Sequence, residues 1–190
     1  MAETHAQLVR PSATYQDLEA LPENLVGEII AGELIASPRP NPWHVNITGE
    51  VYIDLGALFK RGDGGPGGWI ILVEPELHLG EDVMVPDLAG WRRERLPDLP
   101  STASVDLAPD WVCEVLSPST ALYDRATKLP RYGRHGVGHL WLIDPRLHSL
   151  EVFELREGRW TLLGVYAGDK GVRAPPFDAV ELDMTRWWTA

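Results

Sequence analysis

Two acidic residues sit where a chain has little structural use for them. Glu114 lies inside the apolar run WVCEVL, residues 111–116, and Asp87 follows Pro86 in MVPDLAGW. Ionised carboxylates are almost never fully buried unless they are paired or hold a metal. If both segments are strands of one sheet, the two side chains can approach to about 5 Å. Like charges at that distance repel. A divalent cation between them reverses the sign, and hard oxygen donors suit Mg²⁺ or Mn²⁺. Lys128, in TALYDRATKLPRY, is the third group. Asp124, Lys128 and Tyr132 are spaced by four and share one stripe of a helix, which can carry the ammonium towards the carboxylates. The plain alternatives are solvent-facing acids and a solvated lysine paired with Asp124.

The elements that must position these groups are readable from periodicity. Residues 1–13 read as a flexible N-terminal arm, and residues 14–190 as one domain. Thr14 opens a short helix that stops near Pro22. Residues 26–30 and 33–37 flank Ala31-Gly32 as a hairpin. Ile47, Val51, Leu55 and Leu58 mark one face of a long amphipathic helix over residues 43–60. The loop RGDGGPGGW has no following GK[ST], so it is not a phosphate-binding P-loop.

Three strands are expected next, over residues 69–79, 83–91 and 111–116. A long proline-punctuated connection joins the last two, of the kind that often carries function. Ser119 caps a helix reaching about Gly136, with an apolar stripe of Leu122, Ala126 and Leu129. A buried strand follows at residues 139–144, then a hairpin around EGR, then a tail whose tryptophans cover the core. The order helix, three strands, helix, strand describes an α/β fold around a mixed sheet, with accessory hairpins.

Composition narrows the class. The chain has 190 residues, and 17 basic against 28 acidic residues give a net charge of −11. That opposes non-specific grip on duplex DNA. The single cysteine, Cys113, excludes an intrachain disulfide framework. No apolar run approaches membrane-spanning length and no secretory signal is evident, so the expectation is a cytoplasmic protein without a membrane partner.

Together these residues resemble a known family. Pro86-Asp87, Glu114 in EVLSPST, and Lys128 in KLPRYGRHGVGHLWLIDP are similar to the Uma-type family of restriction endonucleases, within the PD-(D/E)xK nuclease superfamily. GEIIAGELIASP and the following His44 resemble its amino-terminal block. The resemblance covers about residues 15–155 and implies a restriction-endonuclease-like core of α-β-β-β-α-β order. It also implies a Mg²⁺- or Mn²⁺-dependent endonuclease hydrolysing DNA to 5′-phosphate and 3′-hydroxyl ends. Asp87 and Glu114 would hold the metal with the backbone carbonyl near Val115. The metal would acidify a water and offset charge on the phosphate. Lys128 would orient that water or stabilise the transition state.

Glu28, in GEIIAGELI, matches a further acid of the family's site. The superfamily's lysine position, two residues after Glu114, is Leu116 here, and Lys128 on the next helix takes its place. Tyr132 and Ser117 are supporting groups. His44 could touch the site or simply start the long helix, and is not read as a metal ligand; Glu50 could help a second metal but is read as solvent-facing. Arg92, Arg93 and Arg95 form the sole basic cluster, which would grip phosphate in a nuclease or be a solvated surface in a binding protein. A homodimer cutting two strands follows by analogy. The alternative is a nuclease-fold protein that binds metal or DNA in a regulatory role, with little or no hydrolysis.

Overall fold

The computed structural model describes residues 8–168 and 171–189. Its architecture turns on two prolines. The run 69–79 is two strands, β4 (Trp69–Val73) and β5 (Glu76–Leu79), and the run 83–91 is also two, β6 (Asp82–Met84) and β7 (Leu88–Arg92). Pro75 and Pro86 stand at the breaks, since a proline cannot continue a central ladder. At these breaks the chain leaves one sheet and later returns to it. β4 and β7 pair with each other, while β5 and β6 form a hairpin in a different sheet. The Glu74 N–H donates to the Asp87 carbonyl at 3.0 Å and ties the two crossings together.

The first sheet begins with β1 (Leu8–Pro11) beside the hairpin β2 (Leu25–Ile30) and β3 (Glu33–Pro38). Thus residues 8–11 of the expected arm are a strand, antiparallel to β3, and residues 1–7 lie outside the described residues. A short helix, α1 (Tyr15–Glu19), follows β1 with Thr14 capping it as expected. At the β2–β3 turn Ala31 and Gly32 both take positive φ, 57° and 77°, as the favoured two-residue hairpin turn requires. Asp82 accepts a hydrogen bond from the strained Ala31 amide at 2.8 Å. β6 joins this sheet beside β2, then β5, and at the edge β8 (Ser104–Val105).

The second sheet is the middle layer. On one face lies α2 (Pro42–Leu55), N-capped by Asn41 and running on through a π-helical turn, Gly56–Arg61. Ile47, Val51 and Leu55 are buried as the period predicts, but the π turn slips the face by one residue. Phe59, at 1% exposure, takes the inward place expected for Leu58. From β4 and β7 the ladder passes to β9 (Trp111–Val115) and β10 (His139–Asp144), which are parallel, Trp111 opposite His139. A parallel neighbour needs a crossover. It is supplied by the helical stretch 121–134, here α3, made of Ala121–Tyr123, a π-helical turn Asp124–Lys128 and Leu129–Arg134.

Together α2, β4, β7, β9, α3 and β10 give the expected α-β-β-β-α-β order. The hairpin β11 (Ser149–Arg156) and β12 (Arg159–Ala167) extends the sheet. The tail adds a small pair, β13 (Gly171–Val172) and β14 (Leu182–Asp183), and a 3-10 turn, Met184–Trp188. Its Trp187 is buried against α2, donating to Asp54 at 2.9 Å. Among the described residues no helix is long and apolar enough to cross a membrane.

Side-chain alternation along β9 places Glu114. Trp111, Cys113 and Val115 join the core cluster that holds Ile47, Val51 and Leu55 of α2. Val112 joins the cluster on the opposite face with Leu140, Leu142 and Tyr132. Glu114 shares the parity of Val112, and therefore its face.

Candidate active site

The π-helical turn Asp124–Lys128 inverts the amphipathic reading of α3. Leu122 and Ala126 of the expected apolar stripe face outward, Leu122 at 79% exposure, while Leu129 packs against the core, and the polar stripe Asp124, Lys128, Tyr132 is buried. A helix turns polar groups inward only where other polar groups meet them. Here they meet Glu114. The Lys128 Nζ lies 2.7 Å from Glu114 Oε1 and 3.0 Å from Glu28 Oε1, and donates to the Val85 carbonyl at 3.1 Å. The Tyr132 hydroxyl donates to Glu114 Oε1 at 2.6 Å. Glu114 Oε2 makes no hydrogen bond to a described residue.

Asp87 stands just before β7, one step beyond the pair Leu88 and Cys113, and so level with Glu114 on the neighbouring strand. Its Oδ2 accepts the Val115 N–H at 2.6 Å and its Oδ1 lies 2.7 Å from His44 Nε2. Glu28 projects from β2 of the first sheet, accepting the Val85 N–H at 2.8 Å. The Tyr123 hydroxyl lies 3.3 Å from its other oxygen. The β5–β6 excursion thus opens a gap between the sheets, and α3 closes it from the side.

Asp87, Glu114, Val115, Lys128 and Glu28 all line one cavity of about 650 Å³. Asp124, Tyr123, Glu74 and His44 are among the further residues that border it. The i,i+4 spacing with Lys128 was the signal for Asp124. Glu50 does not line the cavity and lies near Asp54 on another part of α2. The arginines stand apart from the cavity. Arg92 stacks over Trp69 at 4.4 Å and Arg95 pairs with Asp110 at 2.7 Å, at the end of β7 remote from Asp87. A five-residue strand separates its ends by roughly 15 Å.

The electrostatics follow from crowding. Glu28, Glu74, Asp87, Glu114 and Asp124 border the cavity against Lys128 and Arg39. Burial pushes Glu114 well above the usual carboxylate range; Lys128 opposes this, and Asp124, Asp87 and Glu28 add to it. Burial also raises Asp124, to about 6, with Lys128 and a hydrogen bond from Thr120 acting against it. Burial works against the Lys128 ammonium, yet Glu114 and Glu28 hold its pKa well above the ordinary value. His44 is likewise raised: burial lowers it, but the hydrogen bond to Asp87 together with the charges of Asp87, Asp124 and Glu74 outweighs that.

One consequence is measurable. With its folded pKa at about 6 against an ordinary 3.8, Asp124 is ionised in both states above pH 6 and neutral in both below 3.8. The folded state therefore bears a penalty that grows as pH rises through that window. Asp124→Asn removes it. We expect the variant to be more stable at pH 8, by about 3 kcal/mol, with the gain vanishing at pH 3.5. Denaturant unfolding at the two pH values checks this; a loss of stability at pH 8 would contradict the crowding described.

The donors are oxygens, the kind a hard divalent cation prefers. Among the described residues no group of three or more His, Cys, Asp or Glu stands together ready to hold a metal ion. Asp87 and Glu114 alone would be the carboxylate pair, with the Val115 carbonyl as the third oxygen. Hydrogen bonds do not exclude them, since each carboxylate oxygen has a second lone pair. The surplus of negative charge and the open Glu114 Oε2 fit a cation.

Comparison with known proteins places this geometry. The sequence model of the Uma2 family, described as "putative restriction endonuclease", matches residues 13–185. Among solved structures, one described as a "putative nuclease belonging to DUF820" from Anabaena variabilis shares the fold with a TM-score of 0.74. It is 24% identical, over 93% of this chain and 97% of that one. No curated protein matches.

Proposed function

Because the chain belongs to the Uma2 family, described as "putative restriction endonuclease", we propose that it is a metal-dependent endonuclease hydrolysing DNA phosphodiester bonds. The observation that carries the reading is the crowd of buried carboxylates around Lys128 in a cavity between two sheets. Folding alone gains nothing from such a cluster, because each unpaired buried acid costs stability. Perturbed acids gathered in a cleft mark functional sites.

Asp87, Glu114 and the Val115 carbonyl would hold Mg²⁺ or Mn²⁺. When bound, the ion supplies positive charge against the scissile phosphate and acidifies water. The remaining work belongs to the chain. The Val115 amide and His44 fix both oxygens of Asp87. Lys128 and Tyr132 fix Oε1 of Glu114 and so turn Oε2 towards the cavity. An ammonium has three N–H donors, and those of Lys128 are directed to Glu114, Glu28 and Val85. Its role is thus to orient two acids and neutralise part of their charge. To reach a phosphate it must first release one of these three, and the neutral Val85 carbonyl, at 3.1 Å, is the most distant.

The test is direct. Purified protein should cut DNA with Mg²⁺ or Mn²⁺ and stop on chelation, and calorimetry should show Mn²⁺ binding. Mn²⁺ binding without cleavage of any DNA would instead support a regulatory protein on a nuclease fold. Absence of both would remove the metal site altogether.

A further inference from the structure

We infer that the DNA this site accepts is single-stranded, with one phosphate entering the cavity and a neighbouring base stacked on Trp43. The inference rests on the nuclease reading above and names its substrate class. Four observations carry it.

The first is depth. The side chains of Glu114 and Lys128 are 5% exposed, that of Glu28 is 10% and that of Asp87 is 13%. A phosphate can approach them only by entering the recess. A cavity of about 650 Å³ equals a sphere roughly 11 Å across, smaller than the span of one duplex groove with its flanking strands. It has room for a phosphate with its attached sugars when the strand is free to bend in.

The second is the walls. On one side the opening is bounded by the end of β3 and the segment that follows, Ser37 to Asn41, and on the other by the loop Ser117–Thr120. Pro38, Pro40 and Pro118 stiffen both walls. The hydroxyls of Ser117, Ser119 and Thr120 form a cluster with contacts of 2.9 and 3.0 Å. Neutral hydroxyls can donate to a strand without a high density of charge.

The third is electrostatic. Five carboxylates line the cavity and its mouth, and among the described residues the sole lysine or arginine at the rim is Arg39, whose Nε donates to the Glu23 carbonyl. The arginine cluster sits at the far end of β7, away from the cavity. A surface of this kind repels the dense double row of duplex phosphates far more than the sparser charge of one strand.

The fourth is Trp43. It stands in the first turn of α2, between Asn41 and His44, both of which line the cavity, and it is 41% exposed. Its indole makes no ring contact or hydrogen bond with a described residue. An exposed aromatic beside a phosphate-sized recess is the platform that single-strand binders use, because every base offers a π face.

The experiment uses the full chain with Mn²⁺ and three fluorescent DNA probes of one mixed sequence: a single strand, the blunt duplex, and the duplex with a single-stranded tail. The single strand and the tail should be cut at least tenfold faster than the blunt duplex. Equal or faster cutting of the blunt duplex would overturn the inference while leaving the nuclease reading intact. If no probe is cut, anisotropy with the Asp87→Asn variant decides the substrate class separately from hydrolysis. Single-strand binding at least tenfold tighter than duplex binding supports the inference, and the reverse order overturns it. Trp43→Ala should weaken single-strand binding about tenfold, with Trp43→Phe restoring most of it. Unchanged affinity in Trp43→Ala would remove the stacking platform.

Discussion

Replacing Asp87 by asparagine should lower cleavage by about a thousandfold, the scale of losing a principal electrostatic contributor to a transition state. Asparagine keeps the shape of the side chain. Its oxygen can still accept the Val115 N–H, and its amide can still meet His44. The variant should therefore fold with a thermal midpoint within a few degrees of the parent. What it loses is one full negative charge and a carboxylate oxygen facing the cavity. Calorimetric Mn²⁺ affinity should fall along with turnover. Asp87→Ala should lose activity equally, but some stability as well, because the amide of Val115 is left without its acceptor. Retained cleavage in Asp87→Asn, with the fold intact, would take Asp87 out of the chemistry.

Why Asp87 could be singled out from the sequence, and its neighbours less well, has a physical answer. A proline followed by an acid within an apolar run breaks a strand, and a break beside a charge invites explanation. Glu114 announced itself more strongly, as a charge at a position whose parity matches Val112 and Leu140 of the buried face. The α-β-β-β-α-β order was also legible, since each element carries its own period. What periodicity cannot express is where a strand changes partners. Nothing local in residues 69–91 says that Pro75 and Pro86 send the chain into a different sheet and back, yet that excursion brings Glu28 to Lys128. The reversal of α3 was hidden for a related reason. An amphipathic stripe is assigned by assuming that apolar residues face inward, and Leu122 violates this because the cavity offers the Lys128 ammonium the carboxylates of Glu114 and Glu28. The arginine cluster lies away from the cavity because closeness in sequence to Asp87 is undone by an extended strand.

Removing the Lys128 ammonium, as in Lys128→Met, should have the largest effect on stability. Methionine is close in length and can pack along the same channel, so little of the loss would come from a cavity. The loss comes from Glu114 and Glu28, which would remain buried without their shared cation. Breaking a buried pair from one side typically costs about 3–5 kcal/mol. For a chain of this length that lowers the thermal midpoint by on the order of 10 °C. Two comparisons separate this cause from a simple packing defect. First, Glu114→Gln added to Lys128→Met should recover part of the stability, because the second change removes the orphaned charge. The recovery would be incomplete, since Glu28 keeps only the Val85 amide and the Tyr123 hydroxyl. Second, Mn²⁺ should raise the midpoint of Lys128→Met more than that of the parent, since a cation among the carboxylates replaces the missing charge. Both variants should remain inactive, since neither restores the orientation of Glu114. A midpoint in Lys128→Met unchanged from the parent would mean that the ammonium does not hold these acids in solution, and the charge balance on which the site is built would have to be drawn differently.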